Sequence, residues 1–340
     1  MKKYFFFRSL CWLTVFSTIL ILSCANLKTK KADNEISVTN WNVQTFFDGN
    51  IDGKEYSEFR KSKENWNEEF YEERLKRLCK IISEIDSDIF VMEELENEKI
   101  LYDISNRLSG NVWFNDKRYD YAAFANEKDN SIGCGIISKL KIDEVKIHAL
   151  DIRTESEKSP SMRSVMEVTL ETASGPVTMY VNHWKSKSGG EEKTEKWRLW
   201  QENVLARELS SCKESVSFAC GDFNKDISDF NYSEDGDLQF AYLTDTECAR
   251  LKMSSPWKDD DNYGSYYFRG KWEKIDHFFS PAIALPEPQI TLKEFQIVQI
   301  PEITNQDGTP KRYELFNHKG YSDHLPITCK VVLKDEQKKS

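Results

Sequence analysis

The sequence is 340 residues long, 39% hydrophobic and 31% charged, with a formal net charge of −10. An acidic chain is not preselected for electrostatic capture by nucleic acid, so any chemistry on nucleic acid must rest on a local site. Eight cysteines with no C-x-x-C pair exclude a disulfide scaffold and a zinc-ligand pattern.

In chain order the first feature is an export signal. Lys2, Lys3 and Arg8 precede an apolar run from Leu10 to Leu22, which is too short to span a bilayer. The run ends in Ile-Leu-Ser-Cys, resembling a bacterial lipoprotein signal in which Cys24 becomes the lipidated N-terminus; a plain secretion signal is the alternative. Residues 1–23 are then removed, 24–35 form a polar tether, and the net charge falls from −10 to −13 with the loss of three cations and no acid. The chain is thereby expected to be exported and held on the periplasmic or surface side of a membrane by its lipid.

From residue 36 to 335 no linker, repeat or low-complexity block interrupts the chain, which predicts one large α/β domain, expected to be a monomer. Strands are predicted at 36–43, 88–92, 133–138, 143–150, 163–170, 177–184, 215–220, 274–279 and 325–333. Tyr71, Leu75, Leu78, Ile82 and Ile85 lie on one stripe of a helix, and Trp197, Trp200, Val204, Leu205 and Leu209 mark a second within 192–211. Strands between 133 and 183 read as consecutive hairpins, giving two facing mixed sheets with helices outside. Of the six cysteines beyond Cys24, Cys212 and Cys220 are the shortest possible bridge; most are expected to be small core residues.

Polar residues gather where strands end. Asn42 closes the first strand, Glu94 follows the second, Asn182 and His183 close VTMYV, and Gly221 to Asn224 follow SVSFAC. Carboxylates such as Glu94, Asp222, Asp276 and Asp323 meeting at one place repel one another and demand a cation, and oxygen donors favour a hard one such as Mg²⁺ or Mn²⁺. In IDHFF (275–279) alternation lets only one of Asp276 and His277 face a shared site, while in SDHLPI (322–327) Asp323 and His324 precede the strand and can both enter it. Asp276 would then bond His324 and raise its basicity, leaving His277 structural.

WNVQTFF, DIFVMEELEN, VNHWKS, GDFN, IDHFF and SDHLPI, in this order, resemble the motifs of the endonuclease/exonuclease/phosphatase superfamily, the DNase I-like fold. The resemblance implies a four-layer α/β sandwich of two packed mixed β-sheets flanked by helices, with a metal-dependent phosphoesterase site at the sheet ends. It implies that Glu94 binds the metal, helped by Asn42 and Asp323. Asp222 would activate the attacking water, with Asn224 beside it. His324, paired with Asp276, would contact the scissile phosphate, His183 would serve the leaving group, and Arg163 in SMRSV would bind phosphate. Glu93 departs from the family, which usually has Gln there; on a strand it should point away from Glu94.

The expected function is an exported nuclease cutting DNA or RNA by water attack. The rivals are a phospholipid head-group phosphodiesterase of sphingomyelinase type, a small-molecule phosphatase, and a non-catalytic surface-binding lipoprotein. Residues 48–59 come close to a calcium-binding EF-hand loop, with Asp48, Asn50, Asp52 and Gly53 at positions 1, 3, 5 and 6 but Phe59 at position 12, so a solvated acidic loop is expected and Ca²⁺ has little support. In 255–272, Trp257, Tyr263, Tyr266 and Trp272 either stack on bases or sugars or pack beneath the site. The lysines around 185–198 alternate with glutamates and read as a solvated surface.

Overall fold

The computed structural model describes residues 34–61, 65–109, 118–127, 130–150, 160–211, 216–258, 263–282 and 289–334. The expected signal peptide, Cys24, and the tether up to residue 33 lie outside the described residues. Among the described residues no helix is long and apolar enough to cross a membrane.

The elements begin with β1 (Glu35–Phe46), α1 (Ser57–Arg60), α2 (Glu68–Ile85), β2 (Ile89–Leu95), α3 (Glu98–Leu108), β3 (Tyr121–Ala125) and β4 (Gly133–Ser138). There follow β5 (Ile142–His148), β6 (Val165–Thr172), β7 (Gly175–His183), α4 (Glu191–Ser211), β8 (Val216–Asp222), β9 (Asn231–Tyr232), β10 (Leu238–Leu243) and β11 (Cys248–Ser254). The last are β12 (Tyr266–Phe268), β13 (Lys271–Glu273), β14 (Asp276–Pro281), β15 (Ile290–Ile297) and β16 (Ile327–Leu333). They form a six-stranded sheet in the order β15-β16-β1-β2-β4-β3, an eight-stranded sheet in the order β5-β6-β7-β8-β14-β11-β10-β9, and the separate hairpin β12-β13.

Period-two alternation sorts the side chains of each sheet into two cores. Ile36 and Val38 of β1, with Ile89 and Val91 of β2, face Met166, Val168, Val181 and Phe218 of the second sheet. The opposite faces of the same strands, Trp41, Val43, Phe90 and Met92, pack on Tyr71, Leu75, Leu78 and Ile82 of α2 and on Ile100 and Ile104 of α3. On the far side of the eight-stranded sheet, Tyr180, Ala219 and Phe279 pack on Trp197, Leu205 and Leu209 of α4. Three cores between four layers give the expected sandwich. Helix α2 starts where the Asn67 side chain accepts from the Glu69 and Phe70 amides, and stops where Asp86 turns left-handed at φ 58°.

Several expectations need correction. β4 belongs to the first sheet and β5 to the second, so they do not form a hairpin, whereas β5-β6 and β6-β7 do. β3, β9 to β13, β15, α1 and α3 were not expected; most of these strands are short or lie toward the sheet margins, half exposed, and carry little alternation signal. Trp200 is 39% exposed, because the buried face of α4 runs through Thr194, Trp197, Arg198, Gln201 and Leu205. Cys212 lies outside the described residues, and Cys220 is a free buried thiol, as are Cys79, Cys134 and Cys329.

Glu93 points away from the cleft into the layer between the sheets, where it is fully buried and its Oε2 lies 3.4 Å from the donating Asn40 Nδ2. Its Oε1 has no partner among the described residues. Burial above all, with Asp276 and Asp222 nearby, pushes this carboxyl well above its ordinary value. A carboxyl raised by folding stabilises the fold below its unfolded pKa, and that stability is lost as pH climbs through the folded value. Glu93→Gln is therefore expected to raise Tm by about 2–5 °C at pH 8, with the gain shrinking as pH falls toward about 4.5. Thermal unfolding across that range checks it, and a variant less stable than wild type at pH 8 contradicts it.

Candidate active site

Strand direction brings the chemical groups to one edge. β1 and β2 run parallel, as do β7 and β8, so Asn42, Glu94, His183 and Asp222 all lie near strand C-terminal ends. β14 runs antiparallel to β8, and β16 to β1, so their beginnings meet those ends: Asp276 pairs with Asp222 in register, and Ser322 to His324 sit just before β16. The edge opens on a cleft of about 510 Å³ lined by Asn42, Glu94, His183, Asp222, Asn224, Asp323 and His324, among others.

Local backbone irregularities aim these side chains. Register shifts in β1 and β2, with Gln44, Thr45 and Glu94 at φ 53°, 42° and 66°, break the alternation. This turns Glu94 to the cleft while Glu93 stays inside. The bulge is held from behind by Arg74 on α2, whose guanidinium donates to the carbonyls of Val43, Gln44 and Thr45. In GDFN, Gly221 has φ 144°, and a Cβ there would lie 1.9 Å from the Asn182 carbonyl oxygen, so only glycine lets β8 end this close to β7.

Asp276 is buried at the centre. Its Oδ2 accepts from Ser265 Oγ at 2.5 Å and lies 2.8 Å from His324 Nδ1. The His324 ring rests 4.6 Å from Tyr266, and its backbone is fixed by Trp41 Nε1 donating to the His324 carbonyl at 2.9 Å. Burial opposes a charge on His324, but Asp276, with Asp222 and Asp323, outweighs it and holds the imidazole well above its ordinary value. The opposite holds for His183, where burial first and then Arg163 and His324 push the imidazole well below. The surroundings thus favour a charge on His324 and disfavour one on His183.

Asp222 accepts from the Asn224 amide at 2.8 Å and from Asn42 Nδ2 at 3.0 Å, and burial raises its carboxyl. Its Oδ2 lies 3.6 Å from His183 Nε2 and 4.0 Å from His324 Nε2. Glu94 accepts from the Thr45 amide at 2.6 Å and from Asn42 Nδ2 at 3.3 Å. Asn224, at φ 46°, donates to the Trp184 carbonyl at 3.2 Å. Asp323 faces the cleft 4.0 Å from Arg312.

Glu94, Asp222 and Asp323 thus share one cleft with little opposing charge, which is the donor set a hard divalent cation satisfies. Asp222, Asp276 and His324 also bring donor atoms within 4.8 Å of one another. Asn42 presents its NH₂ to the two carboxylates and its oxygen to the Gln44 amide at 3.0 Å, so metal ligation through oxygen requires the amide to turn over. Arg163 does not line the cleft; it donates to the Trp184 carbonyl at 3.3 Å and lies near Tyr56, which does line it.

His277 lies on the other face of β14, packed on Phe223, Phe230 and Phe279, with Nε2 2.9 Å from the Lys225 carbonyl. Of the aromatic stretch only Tyr266 lines this cleft; Trp257, Tyr263 and Trp272 line a separate hollow. The acidic loop is not solvated as expected: Asp48 and Glu55 are buried, and Asp52, Glu55 and Glu96 bring ligand atoms together within 4.8 Å. Sequence reasoning missed Gln44, Arg74, Ser265, Arg312 and Ser322, whose hydroxyl donates to the Asn42 carbonyl and accepts from the His324 amide, and none of them stands at a spacing that signals its role.

A family model described as Endonuclease/Exonuclease/phosphatase family matches residues 37–333. No curated protein gives a significant match. Among solved structures, a humanized D. rerio TDP2 carrying 14 mutations aligns at 14% identity and TM-score 0.56, over 88% of this chain and 99% of that one. D. rerio TDP2 complexed with a single-strand DNA product aligns at 15% and 0.53, over 87% and 98%. ANGEL2, titled a 2',3'-cyclic phosphatase, aligns at 13% and 0.54, over 87% and 95%. These likenesses establish the shared DNase I-like fold. With the model spanning nearly all the described residues, and with two packed mixed sheets ending in an acid–imidazole cleft, the chain belongs to the Endonuclease/Exonuclease/phosphatase family, whose members hydrolyse phosphoesters.

Proposed function

We propose that this chain is a lipid-anchored, exported phosphodiesterase, dependent on Mg²⁺ or Mn²⁺, that cuts nucleic acid by attack of water. The observation that carries the reading is the buried Asp276–His324 pair, at 2.8 Å, beside the carboxylates of Asp222 and Glu94. Nucleic acid is favoured as substrate because a protein of the same fold has been crystallised with a single-strand DNA product.

Glu94, Asp323 and a turned Asn42 would hold the cation, which when bound draws charge from the phosphate oxygens. Asp222, raised by burial and held by Asn42 and Asn224, is suited to take a proton from water near neutral pH. His324 commits Nδ1 to Asp276 and so presents Nε2–H, on a charged ring, to a phosphate oxygen. Neutral His183 assists at the leaving oxygen, and Arg163 acts on the phosphate through its positive charge from behind the cleft. One observation favours the lipid head-group reading: Phe316, 82% exposed, follows Leu315 at the cleft wall and could enter a bilayer surface.

Incubating the mature protein with plasmid DNA, RNA and sphingomyelin vesicles separates the readings. With Mg²⁺ it is expected to cut nucleic acid, and chelation is expected to abolish cutting. Release of choline phosphate alone supports the lipid substrate, and no turnover on any of the three supports a binding protein. His324→Ala and Asp276→Asn are each expected to lower kcat by about 10²–10⁴-fold while keeping a cooperative melting transition; near-normal turnover in either contradicts these roles. Anchoring is tested by growing expressing cells with tritiated fatty acid: label is expected on wild type and absent from Cys24→Ser, and an unlabelled wild type contradicts it.

A further inference from the structure

The catalytic cleft is short of positive charge. Glu58, Glu94, Asp222, Glu314 and Asp323 line it, and among its described lining residues Arg312 is the only lysine or arginine. A strand carrying one negative charge per nucleotide is repelled by such a cleft wherever its phosphates meet no cation. A metal ion and His324 serve the phosphate being cut; the next phosphate along needs another partner.

Arg312 is built to supply it. Its side chain is 58% exposed, and Asp323 at 4.0 Å is at the outer limit of an ion pair. Among the described residues its guanidinium makes no hydrogen bond, so its fork of donors is available to a ligand. The backbone beneath is fixed on both sides. The Lys311 amide donates to the Ile303 carbonyl at 2.8 Å, and the Tyr321 amide to the Lys311 carbonyl at 2.7 Å. Gln44, two residues beyond Asn42, grips the Tyr313 peptide at both ends, accepting from its N–H at 3.0 Å and donating to its carbonyl at 3.1 Å. Arg74, which holds the bulge carrying Asn42, also lies 3.7 Å over the Tyr313 ring. Gly320, at φ 86°, lets its turn press against the Arg312 carbonyl, where a Cβ would come within 1.9 Å. The segment bearing Arg312 is thus tied to the same bulge that aims Glu94.

We propose that Arg312 is a specificity-determining residue, whose guanidinium binds the phosphate adjacent to the scissile one and so selects a chain of phosphates over an isolated diester. This rests on the nucleic-acid reading above.

The test measures binding of a fluorescent single-stranded DNA 8-mer to Asp222→Asn protein with Mg²⁺ across a salt series. Adding Arg312→Ala is expected to raise Kd about tenfold at low salt and to flatten the log–log salt slope by about 0.7. Arg312→Lys is expected to restore the slope but only part of the affinity, because an ammonium keeps the charge and loses the fork. Lys293→Ala, on exposed β15, removes the same charge elsewhere and is expected to change neither. Arg312→Ala behaving like Lys293→Ala overturns the proposal. Cutting of the same 8-mer by wild type is scored separately: binding shifts as expected without cutting refute the nuclease reading alone, and cutting without the shifts refutes the Arg312 contact alone.

Discussion

Asp276 stands at the start of β14 in the eight-stranded sheet, and His324 stands just before β16 of the six-stranded one, yet their side chains meet at 2.8 Å. That contact exists only if the sheets are stacked in the correct register, so each apolar layer contributes to the distance. Ser265 and Trp41 hold the two partners from either side. A carboxylate and an imidazole sealed from water support each other's charge much more strongly than they would at the surface. Asp276 favours a charge on His324 in spite of its burial, whereas burial disfavours one on His183, which lacks so close an acid.

The remainder of the cleft is a consequence of mixed sheets. Parallel neighbours place two strand C-terminal ends side by side, and antiparallel neighbours bring strand beginnings to the same edge. Six chain segments far apart in sequence thereby deliver one or two polar groups each to a shared hollow, at the cost of irregular backbone at Gln44, Thr45, Glu94, Gly221 and Asn224. Gln44, Thr45, Glu94 and Asn224 make up four of the eight non-glycine residues at positive φ among the described ones, the others being Asp86, Arg269, Glu294 and His318.

Much of this was legible because motif order and alternation are properties of sequence. Alternation alone put Asp276 and His277 on opposite faces, and the helical stripe of α2 was plain from its spacing. What escaped has physical causes. The bulge at Glu94 depends on Arg74, a helix residue that reads as one more surface cation until its carbonyl partners are seen. The segment 298–323, which carries Arg312, has no periodicity because it is held by turn hydrogen bonds within itself, such as Lys311 to Ile303, and by Gln44. Trp200 was misread because an aromatic off the buried face differs from a core one only in its phase. The acidic loop was misread because its carboxylates fold inward onto backbone amides, as Glu55 does with the amides of Asp52 and Gly53.

The central claim is that the side chains gathered at this edge hold one hard cation at the point where a phosphoester is cut. Anomalous scattering from crystals of the protein soaked in Mn²⁺ tests it most directly. The account predicts a peak in the cleft, coordinated by Glu94 and Asp323. A cleft without a peak, in crystals whose other Mn²⁺ sites are filled, would contradict it.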